Sequence, residues 1–255
     1  MKKTFLALLL TFYCLGGRDA SAQSLISVSP ASLSLKGRAG QTSTQNFKVS
    51  NLTDSVYVFK VEVTDVLVEN GKRTFITAGQ TSGSIAALAV VPVNHVELQP
   101  GQATVVPVIF VLPVETDIRA VAVFFRGQPA QSPQGPRVQL NLGTVVDFST
   151  SDNVKLDIVT PQVAPPTATT NTTVTQELAN IGPEPVIVRG VAAIVNQPGK
   201  LVGRAVFEQK RLLPGERNSL HANYAGTLPP GKYRVLCSLE YAGKAVTRTT
   251  EFSVP

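Results

Sequence analysis

Apolar residues recur at every second position along much of this chain, and Pro-Gly pairs interrupt them. In VELQPGQATVVPVIFVLP, residues 96–113, two alternating runs are hinged on Pro100-Gly101, and the second stops at Pro113. A period of two puts successive side chains on opposite faces, which suits a strand buried on one side and no helix. Helical periodicity is nearly absent elsewhere. Val, Thr and Ile dominate, and their branched side chains fit a pleated surface. The pattern predicts strands over residues 47–49, 56–68, 90–98, 103–112, 120–125, 138–148, 154–159, 172–178, 186–195, 210–213, 219–224, 233–241 and 246–254. Short strands separated by Gly, Pro, Asn, Asp and Ser point to antiparallel β-sandwiches.

The punctuation occurs twice. KVSNLTDSVYVFKVEV runs strand, Asn51, turn, strand, and ELANIGPEPVIVRGVAAIV does the same around Asn180. Each is followed by a Pro-Gly pair, at Pro100-Gly101 and Pro214-Gly215, then by an alternating strand and further proline (Pro113; Pro229-Pro230). Pro fixes φ at the first central turn position and Gly accepts positive φ at the next, so Pro-Gly makes a type II corner. Such a corner lets a chain leave one sheet and enter the other. The duplication predicts two copies of one sandwich, divided near the polar stretch at residues 149–152. PQVAPPTATT, residues 161–170, reads as an extended Pro/Thr-rich loop.

The first 22 residues stand apart. Lys2 and Lys3, a short apolar run and Ala20-Ser21-Ala22 form the pattern of a secretory signal peptide cleaved after Ala22. The apolar run is shorter than the roughly 20 residues a spanning helix needs, and no later run is longer. The expected organisation is a signal peptide (1–22), a first immunoglobulin-like sandwich (23–150) and a second (151–255), in a periplasmic or extracellular protein. Removing Lys2, Lys3, Arg18 and Asp19 lowers the formal charge from +6 to +4. The remaining bases are scattered, without the clustered Lys, Arg and stacking aromatics of a nucleic-acid footprint. Cys237 alone survives cleavage, on an alternating strand, and reads as a small core residue. With apolar residues at 43%, a hydrophobic core can carry the fold without disulfides.

The catalytic templates find no match. His95 and His221 lie in different expected domains with no Cys, Asp or Glu at ligand spacing. GQTSG, residues 79–83, has Thr81 where a nucleophile elbow carries Ser and lacks the strand-to-helix setting. The carboxylates of Asp65, Glu69, Glu97, Glu115 and Asp117 are dispersed, so no acid–base pair can be nominated. The expectation is a non-enzyme with no metal, cofactor or small-molecule substrate.

VELQPGQATVVPVIFVLP, a charged turn and RAVAVFF resemble the first domain of the PapD-like periplasmic chaperones. The resemblance implies a mobile loop at GQPAQSPQGPR, residues 127–137, followed by the subunit-holding strand VQLNLGTVVDF, residues 138–148. It implies capture of an exported or surface protein subunit by β-strand addition, with Val138, Leu140 and Leu142 filling the partner's groove and Arg126 and Arg137 as further partner-binding residues. An ordinary core-facing strand is the alternative for that alternation. The chaperone pattern also places a base on the first strand and another on the last strand of domain one, where SPASLSL and GTVVDFS have none. Asp147 stands near the second position, where a carboxylate would repel a partner's carboxylate. The Asn strand, Pro-Gly corner and second-domain PGKY are also similar to the two-domain WxL-interacting surface proteins. That similarity implies a cell-envelope structural or adhesion module binding a surface protein or peptidoglycan.

Overall fold

The computed structural model describes residues 25–130 and 139–255. The first sandwich begins with β1 (Ile26–Ser29), β2 (Ser32–Lys36), β3 (Thr42–Asn51), β4 (Tyr57–Glu69) and β5 (Lys72–Thr77). After a 3-10 turn at Ala86–Leu88 it continues with β6 (His95–Leu98), β7 (Ala103–Val111), β8 (Ala120–Pro129) and β9 (Leu140–Ser149). A three-stranded sheet, β1-β3-β7, faces a six-stranded sheet in the order β2-β9-β8-β4-β5, with β6 also paired to β4. Between them lie Phe47, Phe59, Phe110, Phe125 and Phe148, all fully buried.

The second sandwich contains β10 (Leu156–Ile158), β11 (Gln162–Ala164), β12 (Thr172–Asn180), β13 (Val186–Asn196) and β14 (Leu201–Leu212). It closes with β15 (Arg217–Tyr224), β16 (Gly231–Tyr241) and β17 (Lys244–Val254). One sheet centres on β12, paired with β10, β11 and β15; the other runs β14-β13-β16-β17. Cys237 is buried in this second core. Burial pushes its thiol up to about 12, as expected of a packed rather than a reactive cysteine. The all-β expectation of two tandem immunoglobulin-like sandwiches holds. We propose the domain division between residues 150 and 151, since Phe148 ends the first core and Val154 opens the second.

The repeated punctuation acts as the sequence implies. β6 belongs to the six-stranded sheet and β7 to the three-stranded one, and Gly101, at φ 74°, lies between them. β14 and β15 likewise lie in different sheets, with Gly215 at φ 78°. In each corner a main-chain bond closes the turn, Gln102 N to Gln99 O and Glu216 N to Leu213 O, both 3.0 Å.

Several boundaries differ from the sequence reading. Residues 90–98 do not form one strand: Val90 makes a single bridge to Ile109, and pairing resumes only at His95. Pro92 cannot donate to a ladder, which accounts for the break. β8 runs on to Pro129, so Gly127–Pro129 are strand rather than loop. The Pro/Thr-rich stretch contains a short strand, β11. β14 starts at Leu201, well before the expected residue 210.

Candidate functional site

β9 is positioned by β8 on one side along its whole length, and by β2 on the other along only half of it. The β8 register runs from Gly127 opposite Leu140 to Ala120 opposite Asp147. β2 pairs in parallel from Ser32 opposite Val145 to Lys36 opposite Ser149. Phe148 N donates to Arg119 O at 2.8 Å, towards β8, whereas Gly37 N donates to Ser149 O at 3.1 Å from the β2 side. Main-chain direction alternates along a strand. Asn141 and Gly143 therefore turn their N–H and C=O groups to the edge that β2 leaves uncovered, where no strand pairs with them among the described residues.

The edge of β7 is built differently. Ile109 exchanges two 2.9 Å main-chain bonds with Val90, so the odd positions of β7 face outward. Pro107 occupies one of those positions and removes its donor, a common way to blunt an exposed edge. The open half of β9 has no proline, bulge or inward charge.

Leu140 and Leu142 lie on the inner side of β9, half-buried and packed against the border of the first core. They are neither free of their own domain nor fully inside it. Val138 and Arg137, the other candidates on this segment, lie outside the described residues, as does the expected loop beyond residue 130. Arg126 is engaged within its own sandwich: its Nε lies 2.7 Å from Glu62 Oε2, and its guanidinium sits 5.6 Å from the centre of the Phe124 ring. Lys60 reaches the same carboxylate at 2.7 Å. The Lys60 hydrogen bond, aided by the charges of Lys60 and Arg126, holds the Glu62 carboxyl below its ordinary range against some desolvation.

The expectation for Asp147 needs correction. It presents no open negative charge: only 3% exposed, its Oδ1 lies 2.7 Å from Arg211 Nη1, contributed by the second sandwich. Burial pushes the Asp147 carboxyl up, and Arg211 offsets part of that rise. The same joint holds Arg73 against Glu216 at 3.0 Å and Arg119 near Glu184 at 3.8 Å. Leu213, next to the second corner, packs on Val66, Ala120 and Ala122 of the first sandwich. Sequence reading missed these pairs because their members are far apart along the chain, Arg73 and Glu216 by 143 positions.

The Asp147 shift carries a pH signature. Its folded pKa lies above the unfolded value, so its contribution to stability is complete below the ordinary carboxyl range and is lost as pH rises through the raised value. Denaturant titrations of the wild type and Asp147→Asn between about pH 4 and 7.5 should show any wild-type advantage shrinking as pH rises. An advantage that grows with pH would mean that Arg211 outweighs burial.

His95 Nδ1 pairs with the neighbouring Asn94 Oδ1 at 2.8 Å, and His221 Nδ1 lies 3.2 Å from Thr175 Oγ1, both on the surface. Among the described residues no group of three or more His, Cys, Asp or Glu is placed to hold a metal ion. No described helix is long and apolar enough to cross a membrane.

No protein-family model matches the chain, and no curated protein does. Among solved structures, the chain is similar to the YadV chaperone at 9% identity and a TM-score of 0.43, covering 90% of this chain and 100% of that one. It is also similar to the class 5 fimbriae chaperone CfaA, at 13% identity and 0.45, covering 90% and 99%. The E. coli chaperone DraB gives 14% and 0.41, covering 90% and 97%. Values at this level describe a loose likeness of arrangement, so the functional reading rests on the chain's own geometry.

Proposed function

We propose that this chain is an exported, non-enzymatic, chaperone-like protein that captures an exported or surface protein subunit by β-strand addition to the open half of β9. One observation carries the reading: the outward main chain of Asn141 and Gly143 is uncovered, while half-buried Leu140 and Leu142 sit on the same segment. A partner strand there would gain main-chain hydrogen bonds and cover the rest of both leucines. The fimbrial chaperones that the chain resembles in arrangement agree with this reading. The signal-peptide pattern at residues 1–22 supports export.

Asn141→Pro tests the edge directly. The ring removes an N–H that faces away from β8, so the β8–β9 ladder keeps its bonds and the domain should melt within a few degrees of wild type. Partner capture should be lost. The mature protein would be purified from the exporting cell with its partners, identified by mass spectrometry, and compared with the variant. A folded Asn141→Pro protein that retains the same partner at the same yield would rule out pairing at this edge.

A further inference from the structure

We infer that the partner strand at β9 places an aromatic or long aliphatic side chain against the Phe124 ring on the outer face of the sheet. This deepens the strand-addition reading and rests on it. Phe124 stands directly opposite Gly143 in the β8–β9 register. A Cβ at Gly143 would lie 2.8 Å from Phe124 Cε1 and 3.0 Å from Cδ1, so the ring lies over the bare main chain of β9. Only glycine leaves that space.

The ring is braced on its other sides. Phe75 meets it edge-on, with centroids 5.3 Å apart and planes at 70°. The Arg126 guanidinium sits over it at 5.6 Å, itself held by Glu62. Towards the joint, Phe124 packs against the cluster of Val66, Ala120, Ala122 and Leu213. What remains is the side facing the open edge. Phe75 lies on β5, on the far side of Phe124 from β9, so it backs the ring rather than facing the open edge.

Directly opposed residues on neighbouring strands point to the same face, and neighbouring strands lie about 4.8 Å apart. The partner residue in register with Gly143 therefore points to the outer face, next to the Phe124 ring. Arg126 and Lys60 share the single carboxylate of Glu62, which leaves one net positive charge nearby, but the surface directly over Gly143 is the Phe124 ring. The contact accordingly selects apolar bulk, aromatic above all, at one register position of the partner strand.

The probes are soluble decapeptides of alternating Val and Thr with terminal lysines, differing only at one outer-face position that carries Phe, Leu, Ala or Asp. Binding to the signal-free protein is read by fluorescence anisotropy. The wild type should bind the Phe peptide about 3- to 10-fold more tightly than the Ala peptide, the scale of one aromatic pair. Phe124→Ala should abolish that preference, and Phe75→Ala, which removes the support behind the ring, should weaken it by about 2-fold or more. Phe75→Ala, at an exposed position, keeps the test valid if Phe124→Ala unfolds. Equal binding of all peptides, lost in Asn141→Pro, overturns the aromatic contact and leaves strand addition standing; so does a preference that survives both substitutions. If the wild type binds no peptide, strand addition fails and the contact with it.

Discussion

Asn180→Ala is expected to cost the second sandwich about 3–5 kcal/mol, a large share of the 5–15 kcal/mol that stabilises a typical domain. Asn180 is fully buried, and its Nδ2 donates to Glu184 O at 2.8 Å and Leu212 O at 3.2 Å. Its Oδ1 accepts from Gly182 N at 3.0 Å, and its main-chain N donates to Glu216 O in the Pro-Gly corner at 2.9 Å. Alanine removes the Asn180 partner of two carbonyls and one N–H, at about 1–3 kcal/mol for each group left unsatisfied. Asn51 does the same in the first sandwich, with Ser55 O at 2.8 Å, Leu98 O at 3.0 Å, Thr53 N at 3.0 Å and Gln102 O at 2.9 Å. Asp is the sharper test, being nearly isosteric with Asn. It keeps the acceptor for Gly182 N but turns lone pairs towards the two carbonyls. Asn180→Asp should therefore destabilise at least as much as Asn180→Ala in denaturant unfolding at neutral pH. A loss under about 1 kcal/mol for either would show that the amide is not what ties the turn to the corner.

These asparagines explain why the duplication was legible. An Asn-bearing strand end, a tight turn and a Pro-Gly corner are local chemistry, written within a few residues and needed at the same place in each copy. Where the copies diverge, they make the joint. Gln102 of the first corner answers to Glu216 of the second, which grips Arg73 and also accepts from Leu213 N at 2.8 Å. Nothing near Glu216 in the sequence announces that partner. The missed strands have local causes. β1 and β2, ISVS and SLSLK, are short and serine-rich, and β5, KRTFIT, carries two charges. The first residues of β14 include Gly203, whose missing side chain is replaced by the Tyr224 ring, 2.6 Å from where a Cβ would sit. The open edge was only half legible: alternation placed Leu140 and Leu142 on one face. That β2 stops at Val145 depends on where the chain crosses between sheets, which periodicity does not encode.

Leu140→Glu is expected to leave a folded protein that has lost partner binding by about 100-fold or more. Leu140 begins β9, half-buried at the border of the first core, opposite Gly127. A carboxylate there can turn to water in the free protein, so the melting midpoint should fall only slightly. In the complex the same position is covered. Fully burying a leucine is worth about 1.5–3 kcal/mol, and placing an unpaired carboxylate in that apolar contact costs several more. Leu142 lies one ladder pair further in, opposite the fully buried Phe125. Leu142→Glu should accordingly reduce folding as well as binding. The contrast between the two substitutions separates an edge poised for a partner from an ordinary core-facing strand, and it needs one thermal melt and one binding curve for each. If Leu140→Glu unfolds the domain as far as Leu142→Glu does, both leucines serve their own core, and strand addition at this edge loses its apolar half.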